Sequence, residues 1–177
     1  MKIVLKLIAL VFAFSPIYAL GGGDPEFIKF PTGYNKFFKN YATVNRANQN
    51  QVAKLYANIA TVASYAQGNH AVSGSVVVME IYSTKSDVDG QPIIGGDGLF
   101  EIDTLEAVAV MEKDTFWGDE YPQENRAGDW GFALYNPDAT PKSNDLDCVQ
   151  CHTPLKDQDH LFSYQQLIEF TKKISIR

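Results

Sequence analysis

The chain has 177 residues, with 15 basic residues against 21 acidic ones and a formal net charge of −6. That acidic balance argues against nucleic acid or anionic lipid as a partner. The length is one domain's worth, enough to bury a core without covalent staples.

The first residues, "MKIVLKLIALVFAFSPIYALGGG", read as a targeting signal. Lys2 and Lys6 supply positive charge, the apolar run from Leu7 to Phe14 is too short to span a bilayer, and Ala19 offers a small residue for cleavage. Ser15-Pro16 and the glycines at 21–23 speak against a buried N-terminal helix. The expectation is a signal peptide at residues 1–19 and a single exported, periplasmic domain at 20–177. No cysteine lies near the cleavage point to carry a lipid, and no later stretch is apolar enough to span a membrane. Cleavage removes two lysines and leaves 13 basic residues against 21 acidic ones, a net charge of −8.

In "PTGYNKFFKNYATVN", Tyr34, Phe37, Phe38 and Tyr41 are spaced i, i+3, i+4, i+7, which predicts an apolar helix face. "QVAKLYAN" predicts a strand at 52–57, and Asn58 is a good N-cap for a helix running to Gln67 and closed by Gly68. "GSVVVMEIYSTK" is the clearest strand, with Val77, Met79 and Ile81 on one face and Val76, Val78, Glu80 and Tyr82 on the other. "DVDGQPIIGGDG" is a loop. Its aspartates do not make a calcium loop, because Gly90 stands at position four from Asp87 rather than six. "LEAVAVMEKD" and "DWGFALYNP" add two strands, and a short helix is predicted from about Ser163. The sum is an α+β domain, mainly antiparallel sheet with a few helices.

The irregular stretch before that last helix contains "NDLDCVQCHTP", which holds both cysteines, Cys148 and Cys151, with His152 directly behind. A disulfide across so short a loop constrains little of the unfolded chain. Zinc needs further ligands, and only His70 and His160 remain as soft candidates. Cys-x-x-Cys-His is, however, the attachment signature of c-type haem. Two thiols add across the porphyrin vinyl groups as thioethers, and the adjacent imidazole reaches the iron. The motif predicts one covalent haem c, carried by Cys148 and Cys151, with His152 as the axial metal ligand. Such attachment takes place outside the cytoplasm, in agreement with the export signal.

On the other side of the iron, Met79, Met111, His70 and His160 are the residues able to cap it. The methionines read equally well as core filler. Small electron carriers are mostly helical with the motif near the N-terminus, so a strand-rich body with a C-terminal motif favours an open or weakly capped site.

The chain resembles the cytochrome P-460 family, which includes the cytochrome c′-beta proteins. The resemblance rests on Tyr34 opening an aromatic segment, "KLYANIATVASYAQG", "SGSVVVMEIY", "VMEKD", "RAGDWGFALYNP" and "CVQCH…DHLFSY", in that order. It implies an antiparallel β-fold with helices, one covalent haem, a proximal histidine at His152, an open or water-ligated distal face, and dimers as a common arrangement. Members that oxidise hydroxylamine carry a lysine in the "GSVVVMEIY" strand, cross-linked to the porphyrin. The matching position is Met79, a thioether that cannot make this bond, and Lys85 lies beyond the strand's end.

The resemblance therefore points to the cytochrome c′-beta branch, which binds nitric oxide or related small ligands against an apolar distal face, here the face of Val77, Met79 and Ile81. Arg126 is a candidate partner for a haem propionate, and Asp145 is a candidate to supply a carboxylate at the pocket rim. Two other functions stay open at this point. One is haem-dependent hydroxylamine oxidation or a peroxidase-like activity; the other is electron transfer to a redox partner protein, with a Met or His as sixth ligand.

Overall fold

The computed structural model describes residues 23–143 and 145–175; the signal sequence expected at residues 1–19 lies outside them. Five strands form one sheet in sequence order: β1 (Lys39–Arg46), β2 (Gln51–Ala57), β3 (Ser75–Thr84), β4 (Ile102–Lys113) and β5 (Trp130–Tyr135). Every neighbouring pair is antiparallel. The helices are α1 (Tyr34–Phe37), α2 (Ile59–Ala66), α3 (Cys148–His152) and α4 (Tyr164–Ser175). This is the α+β architecture expected from the sequence.

Local chemistry accounts for the central elements. The β-branched run of β3 suits a pleated surface and places it in the middle of the sheet. Asn58 caps α2 as expected, its side chain accepting the Thr61 amide at 3.0 Å. The same oxygen also accepts the Val76 amide at 3.2 Å, so one residue ties the start of α2 to β3.

The sheet lies between two apolar layers. Leu55, Ala57, Val77 and Phe132 face a core that also contains Tyr41, Val62 and Tyr65 and, from the C-terminal region, Leu161 and Leu167. The opposite face puts Val78, Val108, Val110 and Ala133 against Ile28, Tyr34 and Tyr121. Alternation along β3 therefore divides its side chains as the sequence predicts.

The aromatic helix expected through Tyr41 is shorter than its spacing suggested. α1 ends at Phe37, and the chain is extended from Lys39 onward. Tyr34 packs on one side of the sheet, while Tyr41 packs on the other and shares a 2.6 Å hydrogen bond with Ser163. A single helix face cannot serve both layers, and pairing of β1 with β2 decides the conformation, with a bulge between Asn40 and Ala42. Phe37, left without a layer to enter, is 73% exposed. At the other end, α4 begins where predicted and runs for twelve residues, longer than the short helix expected.

Candidate functional site

Asp147 opens α3 by accepting the Gln150 amide on its side chain at 2.8 Å. The turn that follows brings Cys148, Cys151 and His152 onto neighbouring positions. Cys148 is half-buried and packs on the same core as Met79 and Met111, whereas Cys151 is exposed. Burial, followed by the nearby Cys151 and Asp147, pushes the Cys148 thiol up to about 11, so it is a neutral S–H at physiological pH.

His152 and His160 form a reciprocal pair. His152 Nδ1 lies 2.7 Å from the His160 carbonyl, and His160 Nδ1 lies 3.1 Å from the His152 carbonyl. A carbonyl only accepts, so each Nδ1 carries a proton, and in a neutral His152 ring Nε2 keeps the lone pair. The His152 ring packs against Phe132 of β5 at 4.8 Å and meets Phe162 edge-on at 4.9 Å. Burial depresses its pKa, which favours the neutral imidazole that a metal ligand must be.

The carbonyl that receives His152 comes from an unusual turn. Asp159 and His160 are consecutive left-handed residues, with φ of 50° and 60°. Asp159 is only 3% exposed and accepts from Lys113 Nζ at 2.7 Å, Tyr65 Oη at 2.7 Å, the Ala71 amide at 2.8 Å and Trp130 Nε1 at 3.4 Å. Burial alone would raise its pKa, but the Lys113, Tyr65 and Ala71 contacts outweigh that and hold it below the usual carboxylate range.

The sheet face beside this turn is apolar row after row. Leu55, Met79, Ala109 and Leu134 stand side by side across β2 to β5, flanked by Ala57, Val77, Met111 and Phe132 on one side and by Ala53, Ile81 and Ala107 on the other. Met79, in the central strand, remains partly exposed.

Other candidate residues are distributed differently. Arg126 lies with its guanidinium 5.9 Å from the Tyr121 ring and donates from Nε to the Pro122 carbonyl at 3.4 Å. Arg126 stands two residues before Gly128, which lies against the His160 ring, so it is near the histidine turn along the chain. His70 is largely exposed and 3.9 Å from Asp159. The Nε2 of His160 sits against Gly128, where an added Cβ would lie 2.7 Å away. Asp145 is exposed, and Lys85 lies just past β3, in a 3.3 Å ion pair with Glu101. Among the aromatic side chains, Phe132 reaches His152. Phe38 and Tyr56 pack on the opposite face, and Phe37 points to solvent.

Asp159 and Lys113 had no local signal in the sequence. Their partners come from α2, β4 and β5 and the loop before β3, 29 to 94 residues away from Asp159.

The donor set fits a c-type haem. Two free thiols and a neutral imidazole with its Nε2 lone pair share one turn beside an apolar platform. Among the described residues, no three His, Cys, Asp or Glu side chains converge to hold a metal ion, so the cysteines lack the further ligands of a zinc site.

A meandering sheet with a Cys-x-x-Cys-His turn on its apolar face defines a c-type haem cytochrome on an α+β scaffold. The sequence profile of the Cytochrome P460 family matches residues 31–163. The chain belongs to that family, most of its length lying within the match. No curated protein matches the chain.

Proposed function

We propose that this chain is an exported mono-haem cytochrome. In this reading, residues 1–19 are removed and Cys148 and Cys151 hold haem c through thioethers. His152 would hold the iron through Nε2 and leave it accessible to nitric oxide or a related small nitrogen species. The haem supplies an iron centre able to change oxidation state and take a small diatomic ligand.

The residues of the chain set the terms. His152 Nδ1–H donates to the His160 carbonyl, which fixes the tautomer and turns Nε2 outward as the free ligand atom. Met79, Ala109 and their apolar neighbours offer no hydrogen-bond donor. Such a wall favours neutral diatomic ligands over polar or anionic ones. Arg126, two residues from the Gly128 that lies against His160, offers a guanidinium to a propionate.

The observation that carries this reading is the side chain in the middle of β3. Met79 faces the layer on which Cys148 packs, and by the family resemblance it takes the position where hydroxylamine-oxidising members present a lysine. That favours ligand binding over hydroxylamine oxidation.

The test is the optical spectrum of the purified ferrous protein with and without carbon monoxide or nitric oxide. A high-spin spectrum that shifts on adding either gas is expected. Sharp low-spin bands indifferent to carbon monoxide would replace this reading with an electron carrier. A strongly red-shifted Soret band would replace it with a cross-linked, enzymatic haem.

A further inference from the structure

Four non-glycine residues among the described ones have positive φ: Asn50, Ala139, Asp159 and His160. Two are adjacent, and those two form the turn whose carbonyl meets His152. Left-handed backbone is disfavoured for residues with a side chain, so it persists only where surrounding contacts over-determine it. Here the contacts converge on one carboxylate. Asp159 is gripped by a lysine from β4, a tyrosine from α2, a backbone amide from the loop before β3 and an indole from β5. The turn itself closes with the His160 amide donating to the Leu155 carbonyl at 2.8 Å and the Leu161 amide donating to the Gln158 carbonyl at 3.0 Å.

We infer that Asp159 is the positioning residue of the axial histidine: its buried contacts hold the left-handed turn that aims the His160 carbonyl at His152 Nδ1. The inference rests on the reading of His152 as iron ligand and goes beyond it, assigning orientation and electron donation to a residue whose hydrogen bonds all go to groups other than the imidazole.

The chemistry follows from the identity of the acceptor. A neutral carbonyl polarises the Nδ1–H bond and raises the basicity of Nε2 less than a carboxylate in that place would. Asp159 keeps its own charge away from the imidazole by spending it on Lys113, with a separation of 2.7 Å. The imidazole thereby receives a fixed hydrogen bond of moderate strength and is locked in rotation, further constrained by Phe132 and Phe162. His160 completes the lock, since its own ring returns a hydrogen bond to the His152 carbonyl and its far edge rests on Gly128.

The experiment compares haem-loaded wild-type protein with Asp159→Asn, Lys113→Met, Lys113→Arg and Tyr65→Phe. It reads the iron–histidine stretching band of the ferrous form by resonance Raman and the midpoint potential. Loss of the grip on Asp159 loosens the Nδ1–H···O=C bond, so Asp159→Asn and Lys113→Met should lower the stretching frequency and raise the potential. Lys113→Arg should restore both values toward wild type. Tyr65→Phe deletes one hydroxyl while keeping the ring against Tyr164, and should give a smaller shift in the same direction. It keeps the test alive if the stronger variants fail to fold.

Folded, haem-loaded variants with band and potential unchanged would overturn the inference and leave the axial assignment standing. In the five-coordinate ferrous form, an iron–histidine band that is absent, or that His152→Ala leaves unchanged, would overturn the axial assignment and the inference with it.

Discussion

Met79 and Glu80 are consecutive in β3 and look onto opposite faces of the sheet. Met79 stands among Leu55, Ala109 and Leu134, on the side where α3 packs. Glu80, 6% exposed, accepts from Tyr34, Tyr56 and Tyr82 at 2.8, 2.9 and 2.9 Å. One face is left chemically plain. The other buries a carboxylate under three phenols, whose pKa values are all raised, chiefly by their own burial and then by Glu80. On the plain face, charge enters at the rim, where Lys113 meets Asp159. The comparison teaches a division of labour: hydrogen bonds that fix the scaffold stand behind the sheet, and the face toward the Cys148–His152 turn keeps polar groups at its edge.

The most damaging way to break that division is at the rim. Lys113→Met leaves Asp159 buried without its cation, and the loss of one partner from a buried pair costs about 3–5 kcal/mol. A urea titration of the haem-loaded protein should show the midpoint falling accordingly, with the slope unchanged.

Acid attacks the same pair from the other side. Asp159 has a folded pKa below its ordinary value of 3.8, so it binds fewer protons folded than unfolded. Its contribution is whole above that ordinary value and is lost as pH falls through the lower folded value. Stability should decline below about pH 4, and Asp159→Asn should flatten that part of the curve of urea midpoint against pH.

Behind the sheet, Glu80→Leu leaves the buried Tyr34 hydroxyl without an acceptor, while Tyr56 and Tyr82, less buried, recover water. A loss of about 1–3 kcal/mol is expected, with no change in the ligand-binding spectrum. A spectral change would show that the two faces are coupled.

The smallest effect belongs to the plain face. Met79→Leu conserves volume and should cost less than about 1.5 kcal/mol, with the ferrous spectrum intact. A lost low-spin spectrum in this variant would instead identify Met79 as an iron ligand.

Legibility in the sequence followed the range of the interactions. β3 and the capped α2 were readable because alternation and Asn58 act within a few residues. The faces of β3 were readable too, which put Met79 on the correct layer. The helix over-extended through Tyr41 shows the limit: its 3.6-residue spacing was real, but strand pairing with β2 and the Ser163 contact came from residues the pattern does not contain. The Cys-x-x-Cys-His turn carries its chemistry in five letters. The Asp159 network carries none locally, because its donors are gathered from four distant segments by the fold. Asp145, the carboxylate named for the pocket rim, lies exposed on the surface.

The central claim is that a porphyrin is bonded to Cys148 and Cys151, and the most direct measurement is the intact mass of the denatured protein, produced in a host competent for c-type maturation. The account predicts the mass of residues 20–177 plus one haem, reverting to bare polypeptide in the Cys148→Ser, Cys151→Ser double variant. A wild-type protein that reaches the detector at bare polypeptide mass would contradict it.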